Sequence, residues 1–192
     1  EGGERTIRYE WAPEWNTQPT GVTLTIRLSN QEKGMAPRAV IPLFTGGGFS
    51  STYNDREPIS AEIPSDATKV ELVAITTGHG MDTSNCAEFC DHEHHFTVGN
   101  TTHTQAFTEP GIDDGCAQRV IDGVVPNQAG TWWFGRGGWC PGQRVDPFVV
   151  DVTDDSGPGS TISVQYEATQ GGNTPRDGMG NIKHSSWLII YK

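Results

Sequence analysis

Lys69-Val70-Glu71-Leu72-Val73-Ala74-Ile75-Thr76 alternates along its length, and the residues that follow it break the pattern abruptly. A period of two sets Val70, Leu72 and Ala74 on one face, the signature of a strand buried on one side only. The strand delivers the chain into Gly78-His79-Gly80, and from Thr77 to His95 four histidines, two cysteines and four acidic residues fill nineteen positions. No core strand needs that composition. A second dense stretch, Gly130-Thr131-Trp132-Trp133-Phe134-Gly135-Arg136-Gly137-Gly138-Trp139-Cys140-Pro141-Gly142, holds three of the six tryptophans. Function is expected where the two stretches meet.

Outward from this strand, similar patterns recur. Residues 4–11 alternate, and Val22, Leu24, Ile26 and Leu28 fall on one face. Residues 38–45 form an apolar run that stops at three glycines, and 59–63 form a short strand between Pro58 and Pro64. Residues 94–98 and 102–107 read as a hairpin turning at Gly99-Asn100. Residues 131–134, 146–153, 161–168 and 186–191 complete the strands, and 170–183 reads as a long glycine-rich loop. Residues 116–121 give the one helical turn. Roughly nine to eleven short strands with very little helix predict an all-β fold, an antiparallel β-sandwich or jelly roll. The 192 residues are read as one domain, 1–192, without repeat or linker. The 24 glycines and 12 prolines, spread without period, agree with many turns.

A net charge of -11 and a pI near 4.8 exclude a phosphate backbone as partner, since the protein's own field repels polyanions over roughly 8 Å at physiological salt. The sequence shows no apolar run long enough to span a membrane and no cleavable leader at Glu1. The even cysteine count, the scarcity of lysine and the sequon Asn100-Thr101-Thr102 point to a secreted, extracellular or periplasmic protein.

Cys86, Cys90, Cys116 and Cys140 allow three disulfide pairings, or a share in a metal site. A bridge from Cys86 to Cys90 would close a small loop and hold Glu88 rigidly, which favours positioning over global stability. It would leave Cys116 and Cys140 to fasten the tryptophan segment. Against this stands a metal reading: on a strand, His92 and His94 project to one face, suited to copper or zinc with His79, Met81 or Met179 as a further ligand. His95 would face the other way, and His103 and His184 read as structural or surface residues.

Among the acids, Glu88 is set apart by its place between two cysteines; Asp91 and Glu93 read as solvated. Arg136, flanked by glycines, could bring a planar fork of donors close to a carbonyl or carboxylate. If 131–134 is a strand, Trp132 and Phe134 share a face and Trp133 takes the other. Trp132 or Trp139 beside Arg136 and Glu88 would then offer a platform for a sugar ring.

These residues resemble a known family. The run Gly78-His79-Gly80, then Asn85-Cys86-Ala87-Glu88-Phe89-Cys90, then Cys116, then Thr131 through Gly142, is similar to the C-terminal jelly-roll domain of the peptide-N-glycosidase F family. The likeness is specific over about residues 69–152. It implies hydrolysis of the amide between an asparagine side chain and the first N-acetylglucosamine of an N-glycan, without a cofactor. It further implies Glu88 as the catalytic acid residue lent by this domain, Arg136 as a substrate-binding arginine, and disulfides Cys86–Cys90 and Cys116–Cys140. In that family the principal aspartate sits on an N-terminal jelly roll, for which this chain has no room, so a second jelly-roll chain would supply it. The paired rolls are also similar to those of peptidylglycine monooxygenases, whose copper motif His92-Glu93-His94 resembles.

The reading is therefore a protein that recognises an N-glycan or glycopeptide, related to that amidase, with Glu88 catalytic and Arg136, Trp132, Trp139 and His79 binding substrate. Two alternatives stand beside it. One is a copper- or zinc-binding jelly roll using His92 and His94, and the other is an extracellular structural or assembly subunit.

Overall fold

The computed structural model describes Thr6, residues 37–126 and residues 130–192. Two compact units divide the chain, Glu1–Lys33 and Gly34–Lys192, and the strands expected at 4–11 and 22–28 lie outside the described residues. The described residues of the second unit form a sandwich of eight strands: β1 (Pro37–Gly48), β2 (Ile59–Glu62), β3 (Lys69–His79), β4 (His92–Val98), β5 (Thr101–Phe107), β6 (Phe148–Asp151), β7 (Thr161–Gln170) and β8 (Asn181–Tyr191).

One sheet runs β1-β8-β3-β6 and the other β2-β7-β4-β5. The first strand pairs with the last, the second with the seventh, the third with the sixth and the fourth with the fifth, each pair antiparallel. That nested order is a long eight-strand hairpin curled on itself, which defines the jelly roll.

The alternation read from the sequence settles which side chains meet between the sheets. Val70, Leu72 and Ala74 of β3 are fully buried, as are Leu188 and Ile190 of β8, Phe96 and Val98 of β4 and Val164 of β7. Toward the other end the inward positions turn polar. Thr76 lies opposite His184 across β3 and β8, while His92 and His94 point inward from β4 and Tyr166 from β7. The core is thus oily at one end and hydrogen-bonded at the other.

Four local readings need correction. Residues 131–134 form a turn, because their backbone serves elsewhere: the Trp133 carbonyl accepts from the Cys116 and Ala117 amides, and the Gly135 amide donates to the Ile112 carbonyl. Among the described residues helix occurs in three short pieces rather than one: α1 (Cys86–Phe89), a 3-10 turn over Ala117–Asp122, and α2 (Thr153–Ser156). The strand expected over 146–153 ends at Asp151, whose carboxylate accepts from the amide of Thr153, the first residue of α2, at 3.0 Å. Likewise β8 begins at Asn181, taking three residues from the expected loop.

Candidate functional site

At the polar end of the sandwich, β3 runs out into Gly78-His79-Gly80 and α1 sits across it. Both disulfides form, Cys86 with Cys90 and Cys116 with Cys140. The first ties off α1, and two backbone bonds clamp it while a third joins β3 to the residue after Arg136. The Ala87 amide donates to the Met179 carbonyl at 2.7 Å, the Glu88 carbonyl accepts from Gly137 at 2.9 Å, and Gly78 donates to the Gly137 carbonyl at 2.7 Å. Such contact requires glycine: a Cβ on Gly78 would lie 1.6 Å from the Ala87 oxygen.

Glu88 is buried to 8% exposure, and its two oxygens have separate partners. One accepts from the Gly80 amide at 2.6 Å, and the other is held in an ion pair by the Arg136 guanidinium. A second nitrogen of Arg136 donates to the Thr131 carbonyl at 2.8 Å, while its buried Nε has no protein partner. The guanidinium lies over the Trp139 ring at 4.6 Å and the Phe89 ring at 5.2 Å. Burial pulls the arginine's pKa down to about 10, which leaves it charged at neutral pH. Two buried opposite charges so held tolerate the loss of neither, since the survivor would be unpaired in a low dielectric.

Trp139 donates from its ring nitrogen to the Gly78 carbonyl at 2.8 Å and packs on His79 at 5.0 Å. His79 bonds Thr77, and burial, followed by the charges of Lys183 and Arg136, lowers its pKa to about 4. Arg136 and Trp139 form one wall of a cleft of about 470 Å³, floored by Phe107 and rimmed by Glu109, Arg119, Asp122, Arg144 and Asp146. Its mixture of one aromatic platform and several charges suits a polyhydroxylated ligand better than an apolar one.

The structure brings together Glu88, Arg136, Trp139 and His79, and takes Trp132 away. Trp132 packs on Val124 and the Cys116–Cys140 bridge, so it staples a loop rather than lining the cleft. His92 and His94 share a face, as their spacing predicts, but that face is the core. His92 Nε2 meets the Ala87 carbonyl at 3.1 Å, the two rings meet at 3.0 Å, and His94 Nδ1 meets the Tyr166 hydroxyl at 2.7 Å. Every ring nitrogen of the pair is thereby occupied. Cys86 and Cys90 are oxidised, Met81 points to solvent, Met179 is buried, and among the described residues no three His, Cys, Asp or Glu side chains converge. This donor set does not fit copper or zinc.

His184 is a core residue, bonded to Thr76 and Ser186, and His103 pairs with Asp155 near the surface. Sequence reasoning missed Gly80 as a donor to Glu88, although a Gly-x-Gly beside an acidic loop hints at close backbone approach. It also missed Thr131, Tyr53 and Tyr166, which carry no local signal.

Fold and site together define a jelly roll with a disulfide-bound carboxylate paired to a buried arginine at one end. The family described as "Peptide-N-glycosidase F, C terminal" matches residues 49–189, and the chain belongs to it. The chain is 29% identical over 134 residues to peptide-N(4)-(N-acetyl-beta-D-glucosaminyl)asparagine amidase F of Elizabethkingia miricola, a match covering 67% of this chain and 36% of that protein. It therefore spans about a third of the length of that curated relative. In shape it is similar to a crystal structure of peptide-N(4)-(N-acetyl-beta-D-glucosaminyl)asparagine amidase, with a TM-score of 0.64 and 21% identity over 80% of this chain and 52% of the other. It is also similar to PNGF-II, with a TM-score of 0.57 and 17% identity over 81% of this chain and 30% of that one. Among the described residues no helix is long and apolar enough to cross a membrane.

Proposed function

We propose that this chain provides the C-terminal half of a glycopeptide cleft and takes part in hydrolysing the amide between asparagine and N-acetylglucosamine. The observation that carries the reading is the Glu88–Arg136 pair, Glu88 held in the Cys86–Cys90 loop and Arg136 lining the cleft with Trp139. In the reaction, water adds to the side-chain carbonyl, the carbon–nitrogen bond breaks, and aspartate and a glycosylamine leave. Glu88, with both oxygens accepting, acts as a fixed negative charge and acceptor at the sugar or the scissile N–H. Arg136 holds that carboxylate in place and sets its positive charge beside the cleft. Trp139 supplies the face on which a sugar ring lies. The aspartate that the resemblance assigns to an N-terminal jelly roll comes from a second such roll. No metal or other cofactor enters this reading, and two disulfides support an oxidising, extracytoplasmic setting.

The test is titration of the full chain with an N-linked glycopeptide, then glycan release from a denatured glycoprotein with and without a family N-terminal jelly roll. We expect binding by the chain alone and release on completing the cleft. Glu88→Gln should lower release by about a hundredfold or more, as expected for a preorganised electrostatic group. Neither binding nor release under either condition would sink the reading.

A further inference from the structure

Behind the Glu88 loop a chain of side chains crosses the core. It starts at Tyr53, whose hydroxyl lies 2.8 Å from that of Tyr166. It continues from Tyr166 to His94 at 2.7 Å, from His94 to His92 at 3.0 Å, and from His92 to the Ala87 carbonyl at 3.1 Å. All four side chains are at most 3% exposed. A carbonyl can only accept, so the last link fixes the direction of every other.

His92 must carry its proton on Nε2, and in a neutral ring this leaves Nδ1 as an acceptor. His94 must then donate from Nε2 and accept at Nδ1. Tyr166 must donate to His94 and accept from Tyr53. One arrangement of four protons satisfies all the groups, and hydrogen bonds aligned in this way polarise one another. Neutral rings are what the surroundings demand. Burial lowers the His92 pKa to about 4 and the His94 pKa well below 6.5, while Arg56, stacked at 4.5 Å on Tyr53, opposes positive charge from the far end. Phe49 and Phe107 pack against the His92 ring and bring no charge.

The end of the chain touches both halves of the site. Ala87 immediately precedes Glu88, and a Cβ on Gly137, the residue after Arg136, would lie 2.6 Å from His92 Nε2 and 2.7 Å from the Ala87 oxygen. His92 is thus wedged beneath the two backbones that present the carboxylate and the guanidinium.

We propose that Tyr53, Tyr166, His94 and His92 are positioning residues, a one-directional hydrogen-bond chain that fixes the Ala87 carbonyl and thereby the aim of Glu88 at Arg136. This rests on the reading of Glu88 as the working carboxylate, and its test is independent of turnover. In the 15N-labelled full chain at neutral pH, both His92 and His94 should be Nε2–H tautomers; an Nδ1–H tautomer at either overturns the proposal.

Tyr166→Phe removes the hydroxyl that donates to His94 and keeps the ring. The Gly80 and Gly137 amides, which donate to Glu88, should then exchange with solvent about tenfold faster, as local opening becomes easier. Thr76→Val, at the same depth but outside the chain, should leave both protected. His92→Gln, whose amide nitrogen can reach the Ala87 carbonyl, should restore protection that His92→Phe loses. If Tyr166→Phe leaves Gly80 and Gly137 as protected as wild type, or if Thr76→Val opens them equally, the chain is core packing and the proposal fails. Should His92→Phe not fold, the tautomers and Tyr166→Phe still decide. Absence of glycopeptide turnover with normal tautomers and the expected exchange would count against the functional reading alone.

Discussion

Arg136 shows how much a single side chain can bind together. Its fork reaches Glu88 with one nitrogen and Thr131 with another, and its plane lies on Trp139. Lysine keeps the charge but has a single nitrogen on a flexible stem, so it cannot bridge both partners. Arg136→Lys is therefore expected to lower stability by about 1–3 kcal/mol, through the buried acceptors it leaves short. Glycopeptide affinity should fall by about tenfold or more, the range of one lost charged contact. Thermal unfolding and calorimetric titration check the two; a variant matching wild type in both would remove Arg136 from the site. Glu88 and Arg136 were legible in the sequence because their neighbours are unusual: cysteines about the first, glycines about the second. Trp132 was misread because a short aromatic run between glycines carries no sign of whether its amides serve a sheet or a turn. The His92–His94 spacing was right as to face, but a period of two cannot say whether a face looks at solvent or at another sheet.

The two disulfides should separate, at the level of elements, into a local and a global role. Cys116–Cys140 spans 24 residues and Cys86–Cys90 only 4. By the chain-entropy argument the longer loop stabilises by about 3 kcal/mol and the shorter by less. Replacing Cys116 and Cys140 by serine should lower the unfolding midpoint more, whereas replacing Cys86 and Cys90 should cost more glycopeptide affinity, because α1 carries Glu88. The reverse order in either measurement would contradict this division. Gly78→Ala tests the same element from the other side. With the Ala87 carbonyl 1.6 Å from the new Cβ, α1 or the end of β3 must move, and binding should be lost even if the sandwich survives. Strands were the legible elements here, since β3, β4, β7 and β8 all alternate cleanly between buried and less buried positions. The short helices escaped notice because four residues hold too little of a 3.6-residue period to detect.

Across the whole molecule, the polar end of the core sets how stability depends on pH. Burial lowers the pKa of His92 and His184 from 6.5 to about 4, and that of His94 well below 6.5, with His79 at the edge behaving alike. A base whose pKa is lower in the folded state binds fewer protons there than when unfolded. Its contribution to stability is complete above 6.5 and is lost as the pH falls toward 4. Each fully buried imidazole then costs up to about 1.4 kcal/mol per pH unit across that window. The carboxylates held low by partners, Asp66, Glu71, Asp151 and Asp177, start from 3.8 or 4.5, so their contribution is lost from the foot of that window downward. Urea midpoints taken from pH 6.5 to pH 5 should therefore fall steeply, ahead of most carboxylate protonation, and His184→Gln should make the fall shallower by about one proton's worth. A level midpoint over that range would mean that these rings take up protons as readily in the folded protein as in the unfolded chain, which their burial and the His94 N–H aimed at His92 Nδ1 oppose.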